Sequence, residues 1–305
     1  MRTRALITSG GGAKGAFTVG ALNALAERGI NRYDIISGTS TGALLAALSV
    51  LGMFSELEDI YLSVTNDDIL RKDNIVRNIQ NARPFLYDTA PLLQLINQHI
   101  TIDVFNRIMA SPTMLCLTAI SLQTGKITVF STKDIPSTDK YSVSPITTRQ
   151  RLIDALLASS SQAGFLPPVS IDAGNGIEQF ADGGNRDVIP SRVATDLNPD
   201  EIYVLSNNPP TLFQGDPDYL HSNVLSVISR ALSIFIQDVR ENDLAVLEEY
   251  AKRPNKKVFR IEPDEDLDPD HPTGLNFNPD LMGGWMSKGR RAANETVPNS
   301  PLRPF

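Results

Sequence analysis

Short apolar runs alternate with longer stretches of helical spacing along this chain. Arg4-Ala5-Leu6-Ile7-Thr8 has the length and content of a buried strand. After Ser9–Gly15, the residues Phe17, Val19, Gly20, Leu22, Ala24 and Leu25 recur at helical spacing up to Gly29, the expected C-cap. Tyr33–Ser37 predicts a second strand and Ala43–Leu48 the helix after it. Ser55–Leu62 predicts another helix, and Pro91–Ile96 one more, with Thr89 as candidate N-cap. Thr113–Ile120 and Lys126–Phe130 read as strands joined by a hairpin turn at Gln123-Thr124-Gly125. Residues Pro136–Thr148 read as loop. Arg151–Ala158 reads as helix, and it must stop before Phe165-Leu166-Pro167-Pro168. Glu201–Ser206 and Lys257–Ile261 are strands. Asn223–Tyr250 is a long amphipathic helix, and Leu281–Ala293 is the last one.

Strands alternating with helices predict an α/β fold of three layers around a central, largely parallel sheet. The expected organisation is a single α/β domain over residues 1–295. Its motif-bearing core is 5–196, a strand–helix extension covers 197–295, and 296–305 is a Pro-rich tail. The stretch from Asn66 to Asp88 fits a mobile cap over a site or an ordinary surface excursion equally well.

Charge narrows the function. The net charge of −7 leaves no basic footprint for nucleic acid. It also disfavours electrostatic adsorption to anionic membranes, while leaving peripheral contact with a membrane surface through inserted apolar side chains open. Cys116 is the single cysteine, set in an apolar run that suits the core better than a nucleophile. Neither a signal peptide nor a membrane-spanning run is visible, so the expectation is a cytoplasmic protein. No metal-ligand cluster is seen.

Chemistry centres on Gly38-Thr39-Ser40-Thr41-Gly42. G-x-S-x-G between a strand and a helix is the context of a nucleophile elbow, though the pattern alone also occurs in ordinary loops. Gly38 and Gly42 allow the tight bend and close helix–strand packing. Upstream, Gly10-Gly11-Gly12 follows the first strand and can turn consecutive amides toward a developing oxyanion, with the Thr41 amide as a further donor. Lys14 could steady negative charge there or stand solvated. The same loop matches G-x-G-x-x-G at Gly10, Gly12 and Gly15, a dinucleotide pattern. Its acid, Asp34, however, stands at the start of the second strand rather than at its end. For a base, His221 and His271 lack any motif around them. Asp182, in Asp182-Gly183-Gly184, follows an apolar approach, and its glycines let a carboxylate come close to another loop; Asp-Gly is equally a plain turn signal. A Ser-Asp-His triad using His221 or His271 and a nucleotide site at Gly10–Gly15 both remain open on this reading.

Taken together, the Gly10–Gly15 loop, the Gly38–Gly42 elbow and Asp182-Gly183-Gly184 resemble the patatin-like phospholipase family. Asp34-Ile35-Ile36, Ala158-Ser159-Ser160 and Phe165-Leu166-Pro167-Pro168 add to the likeness, which runs from about Ala5 to Pro190. The resemblance implies a Ser–Asp dyad without a catalytic histidine. On it, Ser40 attacks an ester carbonyl, Asp182 is the base, Gly10, Gly11 and Gly12 form the oxyanion hole, and water releases the acyl group. Lys14, Gly15, Gly38, Gly42, Gly183 and Gly184 are the supporting motif residues. The implied substrate is a lipid or fatty-acyl ester, and no cofactor is implied. One departure stands out: Val188, in Asp187-Val188-Ile189-Pro190, occupies a place where this family often has Asn, which puts local backbone support there in question.

Overall fold

A computed structural model describes residues 2–72, 87–174, 176–210, 222, 224–269, 271 and 274–297. In chain order its strands and helices are β1 (Arg4–Thr8), α1 (Gly15–Glu27), β2 (Ile35–Thr39), α2 (Thr41–Ser49), α3 (Phe54–Ser63), α4 (Asn66–Ile69), β3 (Arg71–Lys72), β4 (Tyr87–Asp88), α5 (Ala90–His99) and α6 (Ile102–Ala110). Then follow β5 (Met114–Ser121), β6 (Ile127–Ser131), β7 (Tyr141–Pro145), α7 (Arg149–Ser160), β8 (Val169–Asp172), β9 (Ile177–Asp182), α8 (Ser191–Asp196), β10 (Glu201–Leu205), α9 (Val224–Ala251), β11 (Lys257–Ile261) and α10 (Pro279–Thr296).

The main sheet has the order β11-β10-β1-β2-β5-β6-β7. It is parallel from β11 to β5; β6 and β9 both pair antiparallel to β5, and β8 pairs with β9. Alternation along the central strands divides the core between two faces. Leu6, Ile36, Leu115 and Tyr203 pack with α1, α2, α3, α7 and α10, whereas Ala5, Ile7, Ile202 and Val204 pack with α8 and α9. The result is three layers, α/β/α. Cys116 is buried within this core.

Local signals explain the boundaries. Gly29 has φ +74°, and the Ile30 amide closes on the Leu25 carbonyl, which stops α1 where the glycine demands. Gly125, at φ +65°, turns the β5–β6 hairpin. Some readings are corrected and others gain detail. Pro136–Thr148 contains β7, an edge strand whose polar Ser142 and Ser144 carry no buried-strand signal. Helix α6 and strand β8 were not foreseen. Thr89 sits at the N-cap of α5, but the amide of Ala90 is taken by the Asp88 carboxylate instead. Helix α10 runs on to Thr296, where the tail was expected to begin. Of the proposed cap at 66–88, residues 73–86 lie outside the described residues, as do 298–305 of the tail.

The carboxyl ends of β1, β2 and β10 lead into the glycine loop, Ser40 and Ser206-Asn207, while β9 delivers Asp182 beside Ala119 of β5. Loops that leave parallel strands at one edge leave a crevice between them.

Candidate active site

Ser40 sits between β2 and α2 with φ +58° and ψ −131°, a conformation that a non-glycine residue holds only when its surroundings enforce it. They do so by hydrogen bonds. The Ser40 amide donates to the Ser159 hydroxyl at 2.9 Å, and Ser159 in turn donates to the Thr118 carbonyl at 2.6 Å. Thr39 is bonded to the Thr118 hydroxyl and donates to the Asp187 carbonyl at 2.7 Å. Gly38 and Gly42 make the bend feasible, since a Cβ on either would collide with the Gly42 or Thr8 carbonyl. Gly15 plays a like part against the Tyr61 hydroxyl, and Gly183 against the Thr118 carbonyl, at 2.5 Å from a Cβ in each case.

Asp182 ends β9 with its carboxyl buried. It accepts the Gly184 amide at 2.7 Å, and the Ser40 hydroxyl is near enough to favour its charged form. Burial pushes its pKa up to about 6, an effect that Ser40 and Gly184 partly offset. A carboxylate held there binds a serine proton more firmly than an exposed aspartate does, yet is ionised at neutral pH.

The glycine loop faces the serine directly: a Cβ on Gly10 would stand 3.2 Å from the Ser40 Cβ. The Gly10 amide, however, donates to the Val188 carbonyl at 3.1 Å, so it is committed elsewhere. The amides of Gly11, Gly12 and Thr41 have no hydrogen-bond partner among the described residues. Gly11 (φ +152°) and Gly12 (φ +59°) hold conformations open to glycine. Behind the loop Asn207 donates its side-chain amide to the Ser9 and Gly10 carbonyls at 3.1 and 3.3 Å, and Thr18 fixes the Asn207 oxygen. That drains the carbonyls to one side and leaves the amides on the other.

Backbone support at Val188 comes from α9. The Ile189 amide donates to Asp243 at 3.0 Å, and Arg192 bridges Asp187 and Asp243 at 2.9 and 2.7 Å. Burial and the neighbouring Asp243 charge hold the Asp187 carboxyl well above its usual range, while Arg192 opposes that. Lys14 departs from the solvated reading: it is buried and ion-paired with Asp266 at 2.5 Å.

A cavity of about 360 Å³ opens beside Ser40 and Asp182. On one side it is walled by Leu44 and Leu48 of α2, Leu57 of α3, Leu92 and Ile96 of α5, and Leu156 of α7. On the other it meets Asn208, Gln237 and Arg240. Tyr61 and Thr41 hydrogen-bond at 2.6 Å beside the serine.

His271 is exposed and bonded to Asp268 at 3.0 Å. His221 is outside the described residues. Asp34 accepts the Arg4 amide at 2.8 Å, at the end of the sheet opposite the glycine loop, so the dinucleotide pattern lacks its acid there. Asn207, Asp243 and Arg192 were missed from sequence. Asn207 lies just past the end of a strand, and Asp243 sits in a charged helical run where nothing marks it as buried.

A family model described as patatin-like phospholipase matches residues 6–209. A cGAMP-activated phospholipase of Escherichia coli is 30% identical over 180 residues, which are 55% of this chain and 48% of that protein. One of Vibrio cholerae is 29% identical over 205 residues, 60% of this chain and 54% of that protein. The chain thus spans about half the length of the curated relatives it matches. Among solved structures, VipD from Legionella pneumophila aligns over 94% of this chain and 67% of its own, with 11% identity and a TM-score of 0.32.

Proposed function

The chain belongs to the patatin-like phospholipase family, and from that premise we propose that it is a serine acyl hydrolase that cleaves lipid esters of the phospholipase A, lysophospholipase or esterase type. The observation that carries this is the Ser40 hydroxyl set beside a buried Asp182, with the Gly11, Gly12 and Thr41 amides unpartnered among the described residues and an apolar cavity alongside. Ser40 Oγ attacks the ester carbonyl while its proton passes to Asp182. The amides of Gly11, Gly12 and Thr41 receive the charge that develops on the carbonyl oxygen, and Gly10 permits the close approach. The departing alkoxide takes the proton from Asp182. Asp182 then draws a proton from water, the hydroxide formed adds to the acyl-enzyme carbonyl, and Asp182 returns the proton to Ser40 Oγ as the fatty acid leaves.

The acyl chain lies along the apolar wall of α2, α3, α5 and α7. Contact with a lipid surface is supported by the first half of α9, where Val227, Ile228 and Phe235 are exposed and the adjoining Ile234 also lines the cavity.

The test is to profile fatty acids released from a mixed-lipid extract by the wild type and by Ser40→Ala. Release by the wild type alone is expected. Equal release by both would end the proposal. The nucleotide in the relatives' names supplies one arm of this assay, with and without cGAMP; a rise on adding it would extend the likeness to regulation.

A further inference from the structure

The proposed oxyanion donors sit in a loop whose conformation is unusual, and something must hold it. Part of that hold lies beyond residues 6–209, in the segment between β11 and α10. Gly274 carries the first contact. Its carbonyl accepts the Ala13 amide at 2.8 Å. A Cβ on Gly12 would collide with that same carbonyl, and a Cβ on Gly274 would stand 2.5 Å from the Gly11 carbonyl oxygen. Two backbones therefore touch with no side chain between them, at the peptides whose amides face the serine. Gly274 itself has φ +71°, a conformation that suits glycine.

Three further ties fix the segment. Asp266 pairs with Lys14 at 2.5 Å, and the lysine side chain is only 4% exposed. Asp268 accepts His271 at 3.0 Å and Asn276 at 2.8 Å, which closes the loop upon itself. The Phe277 amide donates to the Asn66 side chain at 2.8 Å, anchoring the far end to α4. The helix that follows grips α1 in the same manner: a Cβ on Gly20 would strike the Met286 carbonyl, and one on Gly289 the Phe17 carbonyl. The glycine loop and the helix it opens are thus both clasped, backbone against backbone, by the C-terminal part of the chain.

We infer that Asp266, Asp268 and Gly274–Phe277 act as a strap that positions the Gly11 and Gly12 amides for the oxyanion, with Gly274 and the Lys14–Asp266 pair as its positioning residues. This rests on the acyl-hydrolase reading above. The strap touches no reacting atom. Its effect falls on the transition state, in which the oxyanion exists, and hardly on ground-state binding of the acyl chain.

Kinetics of Gly274→Ala and Asp266→Asn on a soluble short-chain p-nitrophenyl ester test it, with the affinity of an alkyl trifluoromethyl ketone measured alongside. The ketone adds to Ser40 and places an oxyanion where the ester would. Gly274→Ala is expected to lose about 10- to 100-fold in kcat, less than the roughly 10²–10³ that follows outright loss of one donor. KM should stay within about twofold, as for an interaction made only in the transition state. Ketone affinity should fall in parallel with kcat. Should Gly274→Ala fail to fold, Asp266→Asn introduces no clash and should show the same split with a smaller drop. A folded variant with unchanged kcat overturns the strap, and so does a rise in KM alone, which would make the segment no more than a cavity wall. A wild type that neither turns over the ester nor binds the ketone overturns the acyl-hydrolase reading and the strap with it, and that failure is visible without any variant.

Discussion

At the scale of single residues, Asp182 carries the sharpest consequences. On the proposed reading Asp182 is the general base and must be ionised, so kcat/KM should rise with pH through about 6, where burial places this carboxyl. Asp182→Asn should cost roughly 10²–10⁴ in kcat by removing the base; an asparagine variant with near-normal turnover would contradict the role. Stability should move the other way. A carboxyl whose folded pKa is raised stabilises the fold while it is protonated, and this contribution is lost as pH rises from about 4 through about 6. The raise from 3.8 to about 6 corresponds to about 3 kcal/mol. Asp182→Asn, which never ionises, should therefore melt higher than the wild type at pH 8 and lose that advantage below pH 4; thermal melts at the two pH values check it. Ser40 and Asp182 were legible because each stands in a turn with glycines at fixed offsets. Asn207, Asp243 and the burial of Lys14 were not, because polar residues bonded through contacts distant in sequence look the same in the chain as solvated ones.

At the scale of elements, the proposed hydrolase would take the length of its acyl site from α2. Leu44 and Leu48 follow Ser40 at one- and two-turn spacing along the cavity wall. Eight residues of helix span about 12 Å. A methylene chain with carbon–carbon bonds of about 1.5 Å advances about 1.25 Å per carbon, so roughly nine or ten carbons fill that depth. Leu48→Trp should then depress turnover of twelve-carbon p-nitrophenyl esters by about tenfold relative to four-carbon ones, the order expected for lost methylene contacts. An unchanged ratio in a folded variant would place the chain elsewhere. Among the elements that sequence delivered, β1, β2, α1, α2, β5, β10 and β11 have apolar runs that are bounded by glycines or pack on both faces. The ones it missed lack such marks. Strand β7 is a half-polar edge, β8 reaches the sheet only through β9, and α6 is a short helix with its apolar residues on one side.

At the scale of the whole molecule, the site is assembled from distant parts of the chain. The serine and glycine loop come from the first 42 residues, the aspartate from β9, and the props from Asp243 on α9 and from the strap before α10. Nothing in a linear reading of the polar, acidic stretch around Gly274 announces that this glycine lies against Gly12. The exposed apolar face of α9 belongs to this scale too. Phe235, 64% exposed and outside the cavity wall, should matter only when the substrate is part of a surface. Phe235→Ser is expected to slow hydrolysis of vesicle lipids while sparing a soluble ester, and equal effects on both substrates would argue against a surface contact there.

The most direct measurement of the central claim is mass-spectrometric mapping of the residue modified by a fluorophosphonate. The account predicts one adduct, on Ser40, formed by the wild type, slowed in Asp182→Asn and absent in Ser40→Ala. Equal labelling of Ser40→Ala, or turnover abolished by His271→Ala while Asp182→Asn stays active, would contradict it.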